Sequence, residues 1–245
     1  MKNSNKLLLA AFLLLFGSLT AFNMSLRQEY GRGAYKDPLR DMTALKFANF
    51  DEVNVQAASQ IRVKLVAGPY GVRVHKGTAP YVKVSQQGTR LTIGLAFPET
   101  FGSLARLGGQ RAAVIVSLPQ LRKLTAGAVY SEEGKTTTNK GEPRTGLRVQ
   151  GFRQDSLLVQ HDYATQVALS DNELTYLRAE TGRRPGSHSV LRIEKNNRIR
   201  EADLNVQSQS QLELEAGNLV RLGCQFGDSA RATLSGAGLS SLGRQ

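Results

Sequence analysis

The chain has 245 residues, a formal net charge of +12, 24 glycines, no tryptophan and a single cysteine, Cys224. One cysteine excludes an internal disulfide framework, and the length suffices for one domain with a sizeable core. The basic balance favours an anionic partner, whether glycan, membrane surface or nucleic acid. Because no run of five or more basic residues occurs, the alternative is an outer face that the Lys and Arg side chains merely keep solvated.

Lys2 and Lys6 precede an apolar stretch from Leu7 to Phe16, which continues to Leu26 with dilution by Gly17, Ser18 and Thr20. A positive start followed by such a run is an export signal. Leu19-Thr20-Ala21 places a leucine where signal cleavage wants a small residue. The stretch also reaches the roughly twenty apolar residues that span a bilayer. Residues 1–26 are therefore predicted to be an uncleaved anchor, in the membrane through residues 7–26. Secretion after cleavage is the alternative. Lys2 and Lys6 then stay cytoplasmic, although Arg27, Arg32, Lys36 and Arg40 follow the span. This places the body in the periplasm of a bacterial cell envelope, held at the inner membrane, and sets nucleic acid aside as a partner.

Residues 27–48 are polar, carry Gly31, Gly33 and Pro38, and read as a linker. Residues 49–245 read as one β domain. From Asp51 onward apolar residues alternate with polar ones: Val53 and Val55; Ile61, Val63 and Leu65; Val72 and Val74; Val82 and Val84; Leu91, Ile93 and Leu95. Gly68-Pro69, Gly77 and Gln87-Gly88 fall between them. Period-two alternation broken by turn residues is the mark of short strands.

A four-position frame then repeats. Val114, Val116, Leu121 and Leu124 recur as Val167, Leu169, Leu174 and Leu177, as Leu212, Leu214, Leu219 and Leu222, and as Ala232, Leu234, Leu239 and Leu242. A looser copy is Leu191, Ile193, Ile199 and Ala202, with one residue inserted. Two apolar residues two apart turn one face of a strand inward, and a turn of four or five residues leads to the next strand. The last two copies lie one 20-residue step apart (212 to 232), a plausible coil of a solenoid in which each coil is covered by its neighbours. The earlier gaps, 167 to 212 and 114 to 167, would each be two coils plus insertions. The predicted fold is all-β: a single-stranded parallel β-helix-like solenoid preceded by an N-terminal transmembrane helix. A β-sandwich is the competing architecture.

These patterns resemble a known family. The opening Phe50-x-x-Val53-x-Val55, then Ile61-Arg62-Val63-Lys64-Leu65, Gly68-Pro69-Tyr70-Gly71-Val72-Arg73-Val74, Leu91-Thr92-Ile93 and Ser117-Leu118-Pro119-Gln120-Leu121-Arg122-Lys123-Leu124 are similar to the auto-transporter adhesin head GIN domain of Bacteroidetes-type bacteria, over roughly residues 47–242. The resemblance implies a signal or anchor, a β-helical body and an adhesin-like role, and it brings no catalytic or binding residues. The loops Phe97–Gln110 and Gly182–His188 depart from simpler members.

No constellation for catalysis emerges. His75, His161 and His188 stand at no metal-ligand spacing, and no nucleophile elbow or phosphate-binding loop occurs. His161-Asp162 reads as a surface pair at a strand end, and Cys224 as a small buried apolar residue. No cofactor or metal is expected. The acids Asp155, Asp162, Asp171 and Glu173 are scattered, though stacked coils could bring some together. Seven basic residues concentrate in one region: Arg178, Arg183, Arg184, Arg192, Lys195, Arg198 and Arg200. They are the candidate ridge for an anionic polymer, against the alternative of a solvated, partly ion-paired face. The expected function is a non-catalytic, membrane-anchored envelope protein for adhesion, for envelope organisation, or for binding an anionic envelope glycan or another envelope protein. The competing expectation is an exported polysaccharide lyase or hydrolase on the same scaffold.

Overall fold

The structure, a computed structural model of the chain, describes residues 3–33, 39–97, 113–143, 145–215 and 219–236. The chain divides into two compact units, Met1–Met42 and Thr43–Gln245.

In the first unit a helix, α1, runs Asn3–Arg32. Its stretch Ser4–Gly31 is long and apolar enough to cross a membrane, and none of it is buried in protein. A signal sequence has the same length and composition. The helix exceeds the expected span of 7–26 at both ends, because the polar residues Arg27, Gln28 and Glu29 are good helix formers that extend its last turns. The expected linker of 27–48 thus contains helix up to Arg32 and, near its end, strand β1 (Met42–Leu45).

The second unit is built of strands. The first nine after β1 are β2 (Glu52–Val55), β3 (Val63–Ala67), β4 (Gly71–His75), β5 (Val82–Gln87), β6 (Arg90–Phe97), β7 (Val114–Leu118), β8 (Lys123–Ala126), β9 (Val129–Glu132) and β10 (Lys135–Thr138). The chain continues through β11 (Leu147–Gln150), β12 (Arg153–His161), β13 (Gln166–Ser170), β14 (Glu173–Thr181) and β15 (Val190–Ile193). It ends in β16 (Arg198–Val206), β17 (Gln211–Leu214), β18 (Arg221–Phe226) and β19 (Arg231–Leu234). The alternating residues named above from Val53 to Leu95 are buried, apart from the half-buried Val84.

Two large sheets result, of nine and ten strands. The first has the order β1-β4-β7-β3-β11-β13-β15-β17-β19; the second runs β10-β9-β6-β2-β8-β12-β14-β16-β18, with β5 paired to β6. From β11 onward the chain alternates between them, so each strand lies parallel to the one laid down a circuit earlier. The repeat frame is what sits in register: Val167 opposite Leu191, Leu191 opposite Leu212, Leu212 opposite Ala232. In the second sheet Leu177 faces Ala202, which faces Leu222. Apart from the exposed Ala232 on the last strand, these rows turn inward from both sheets and form one core.

Two expectations need correction. A solenoid running the length of the body is met only in its coarser part, since the body is all-β but its sheets are mixed. β4 pairs β7, β5 pairs β6 and β9 pairs β10 antiparallel. The last is a hairpin closed by Glu133 and Gly134, both with positive φ as its tight turn requires. Nor are Val114 and Val167 two coils apart, because β3, an earlier strand, and β11 stand between them in the sheet. The frame positions Leu239 and Leu242 lie outside the described residues, as do residues 98–110 of the first divergent loop.

A polar ladder holds one corner between the sheets. The buried Asn172 side chain accepts from Phe152 N–H at 3.0 Å and donates to the Val149 carbonyl at 3.0 Å. Asn197, also buried, accepts from Asn172 N–H at 3.1 Å and from its amide at 3.0 Å, and donates to the Leu169 carbonyl at 2.7 Å. Each asparagine thereby supplies partners that the turning backbone of the previous coil lacks. Replacing Asn172 by Ala strands two buried backbone groups, each costing about 1–3 kcal/mol. In urea denaturation Asn172→Ala should lower stability by about 2–4 kcal/mol, whereas Asn196→Ala, exposed beside Asn197 in the turn between β15 and β16, should cost under about 0.5 kcal/mol.

Candidate functional site

The seven basic residues do not form one ridge. Arg178 projects from the outer face of β14, between buried Leu177 and Ala179. It shares Glu180 with Arg183, at 3.3 and 3.0 Å. Burial pushes the Glu180 carboxyl up; the Gln160 amide, Arg183 and Arg178 outweigh it and leave the group below its ordinary value. Arg184 lies over the Tyr163 ring, 5.5 Å from its centroid, while its backbone N–H donates to Asp162. Arg192 is on the outer face of the other sheet, ion-paired to Glu215 and, at 3.6 Å, to Glu213. Lys195 sits exposed in the turn after β15.

Arg198 and Arg200 are brought together with residues from neighbouring coils. The starts of β12, β14 and β16 pair so that Arg153 faces Glu173, which faces Arg198. Leu174 faces Ile199 one step on. An open groove of about 660 Å³ follows this corner, lined chiefly by Arg153, Asp155, Glu173, Thr175, Arg198, Arg200 and Val220. Arg153 approaches Glu173 only to 3.8 Å, and both are well exposed, so the pair is weak. Arg198 and Arg200 have no ion-pair partner among the described residues. Of the four scattered acids, Asp155 and Glu173 meet here. Asp162 instead binds Arg184 N–H, and Asp171 accepts from the Gln150 and Asn196 amides. No group of three or more His, Cys, Asp or Glu side chains that could hold a metal ion occurs among the described residues.

Arg153 and Val220 were not singled out in the sequence, yet the frame held the signal for part of the groove. Aligning Leu174 with Ile199 makes Glu173 and Arg198 neighbours. Arg153 is hidden because Gln154 occupies the frame position where later coils carry Leu174 and Ile199. Its amide binds the backbone N–H and C=O of Leu121, at 2.9 and 2.7 Å.

His161 corrects its sequence reading as a surface residue. It is 1% exposed. Nδ1 lies 3.0 Å from the Thr165 hydroxyl and Nε2 lies 2.9 Å from that of Thr181. Thr165 donates to the Asp162 carbonyl, so the Thr165 oxygen accepts from Nδ1–H and the Thr181 hydroxyl donates to Nε2. A neutral imidazole satisfies this chain of bonds, and burial lowers its pKa to about 3. Cys224 is half-buried against the core; burial and then the nearby Asp203 charge push its thiol up to about 11, which disfavours the nucleophilic thiolate.

No family profile matches the sequence, and no curated protein is detectably similar to it. Among solved structures the chain is similar to a putative adhesin from Bacteroides fragilis, at 8% identity and a TM-score of 0.51, over 79% of this chain and 96% of that one. It is similar also to a putative lipid binding protein from Parabacteroides distasonis, at 14% identity, a TM-score of 0.33 and coverage of 80% and 94%. A putative adhesin from the same organism matches at 11% identity, a TM-score of 0.34 and coverage of 78% and 95%. The likeness to the Bacteroides fragilis protein is one of fold.

The buried histidine sets a pH dependence. Its folded pKa lies below its ordinary value of 6.5, so the unfolded chain takes up the proton first as pH falls. The contribution is present in full above pH 6.5 and shrinks by about 1.4 kcal/mol per pH unit from there toward the folded value. Urea midpoints at pH 7 and pH 5 should show this loss in the native protein, and a visibly flatter response in His161→Gln.

Proposed function

We propose that this chain is a non-catalytic envelope protein whose N-terminal helix anchors it in the inner membrane and whose β body, a β-helical stack of the adhesin head GIN type, binds an anionic polymer in the periplasm. The observation that carries the reading is a helix apolar enough to span a bilayer in the same chain as a β body with the fold of the Bacteroides fragilis protein named as a putative adhesin. Arg198 and Arg200, which have no ion-pair partner among the described residues, supply the attraction for the polymer. Catalysis is not assigned: the buried His161 and the raised Cys224 thiol are poor acids, bases or nucleophiles at neutral pH.

Membrane fractionation with intact-mass determination and protease shaving of spheroplasts tests the placement. The protein should pellet with membranes, retain residues 1–26 and lose its body to external protease. An intact cytosolic protein would contradict it. Incubating the full chain with an acidic polysaccharide should leave polymer length unchanged; shortening would favour the lyase or hydrolase reading.

A further inference from the structure

We propose that the groove at the start of β12, β14 and β16 is a saccharide subsite for a carboxylated sugar of an acidic polysaccharide. This rests on the reading of the chain as a binder of anionic polymers and assigns that binding to one place. Arg198 and Arg200 flank the buried Ile199 and are both exposed, their backbone positions roughly 6.5 Å apart along an extended strand. Neither spends its donors on a carboxylate among the described residues. A planar guanidinium binds a carboxylate through two parallel hydrogen bonds. The other arginines of the basic region are engaged: Arg178 and Arg183 on Glu180, Arg184 on Asp162 and Tyr163, Arg192 on Glu213 and Glu215.

The rest of the lining selects the ligand class. Asp155 and Glu173 would repel a polyphosphate or an anionic membrane surface. A sugar ring has hydroxyls to donate to those carboxylates and to Thr175. Val220, 63% exposed, gives a C–H face of the ring an apolar wall beside Arg200, whose carbonyl accepts from Val220 N–H at 3.0 Å. No aromatic side chain among the described residues lines the groove, so base stacking of a nucleic acid finds no platform among them. The volume, about 660 Å³, falls in the range of small-molecule sites.

The test uses the full chain in detergent with polygalacturonate, neutral dextran and a linear polyphosphate, read by isothermal titration. Polygalacturonate should bind, dextran should not, and polyphosphate should bind more weakly. The double variant Arg198→Gln/Arg200→Gln should weaken polygalacturonate by about tenfold or more. The charge-matched Arg73→Gln/Lys83→Gln, on exposed positions of β4 and β5, should change it less than about twofold. Equal losses in the two double variants would overturn the subsite and leave the polyanion reading standing. Polyphosphate bound as tightly as polygalacturonate would overturn the sugar assignment. No binding of either polyanion by the native chain would overturn the polyanion reading itself and the subsite with it.

Discussion

The β body depends on one constraint: no strand buries its apolar pair alone, so each must lie in register beside the next. Val167, Leu191 and Leu212 form one such row, and Leu177, Ala202 and Leu222 another. A slip of a single residue would turn every one of these side chains outward. The corner ladder guards the same register by different chemistry. Asn172 and Asn197 bond to the backbone of the coil beside them, and those bonds are made only when the coils align. Gly182 adds a third restraint, because a Cβ there would meet the Gln207 carbonyl at 2.5 Å and its φ is +72°.

The outer surface inherits the same order. Strands that stack their apolar residues inward also stack their charged residues outward, in rows spaced by the roughly 4.8 Å between neighbouring strands. This converts residues 20 to 25 positions apart in sequence into direct neighbours, as Arg153, Glu173 and Arg198 become. Binding surfaces on such a body come from composition along rows, with no need for a pocket enclosed by loops. Where opposite charges sit side by side, as Arg178 and Glu180 do along β14, they neutralise one another; where cations outnumber acids, as at the β16 corner, donors are left over among the described residues.

Much of this was legible in the sequence. The alternation of apolar residues located the inward faces, and the four-position frame located parallel strands that lie in register, such as β13, β15 and β17, because both express the geometry of a buried strand. The N-terminal half was harder to read. β2 lies between β6 and β8, and β3 between β7 and β11, and a strand's neighbours in a mixed sheet leave no trace in its own period. The candidate site was legible only in fragments. Charge density along the chain grouped Arg178, Arg192 and Arg198, yet Arg192 lies on the opposite sheet. Arg153, in the preceding coil, was masked by the polar Gln154 at a frame position. His161 was misread because a polar residue at a strand end gives no sign that Thr165 and Thr181 will satisfy it inside.

Amide hydrogen exchange on the full chain tests the central claim, that lateral register makes the strands from β12 to β16 one cooperative unit. Buried-row amides in β12, β13, β14, β15 and β16 should exchange together, through global unfolding alone, while the β9–β10 hairpin exchanges far sooner. Exchange of neighbouring coils in separate steps, with one coil opening while those beside it stay protected, would contradict it.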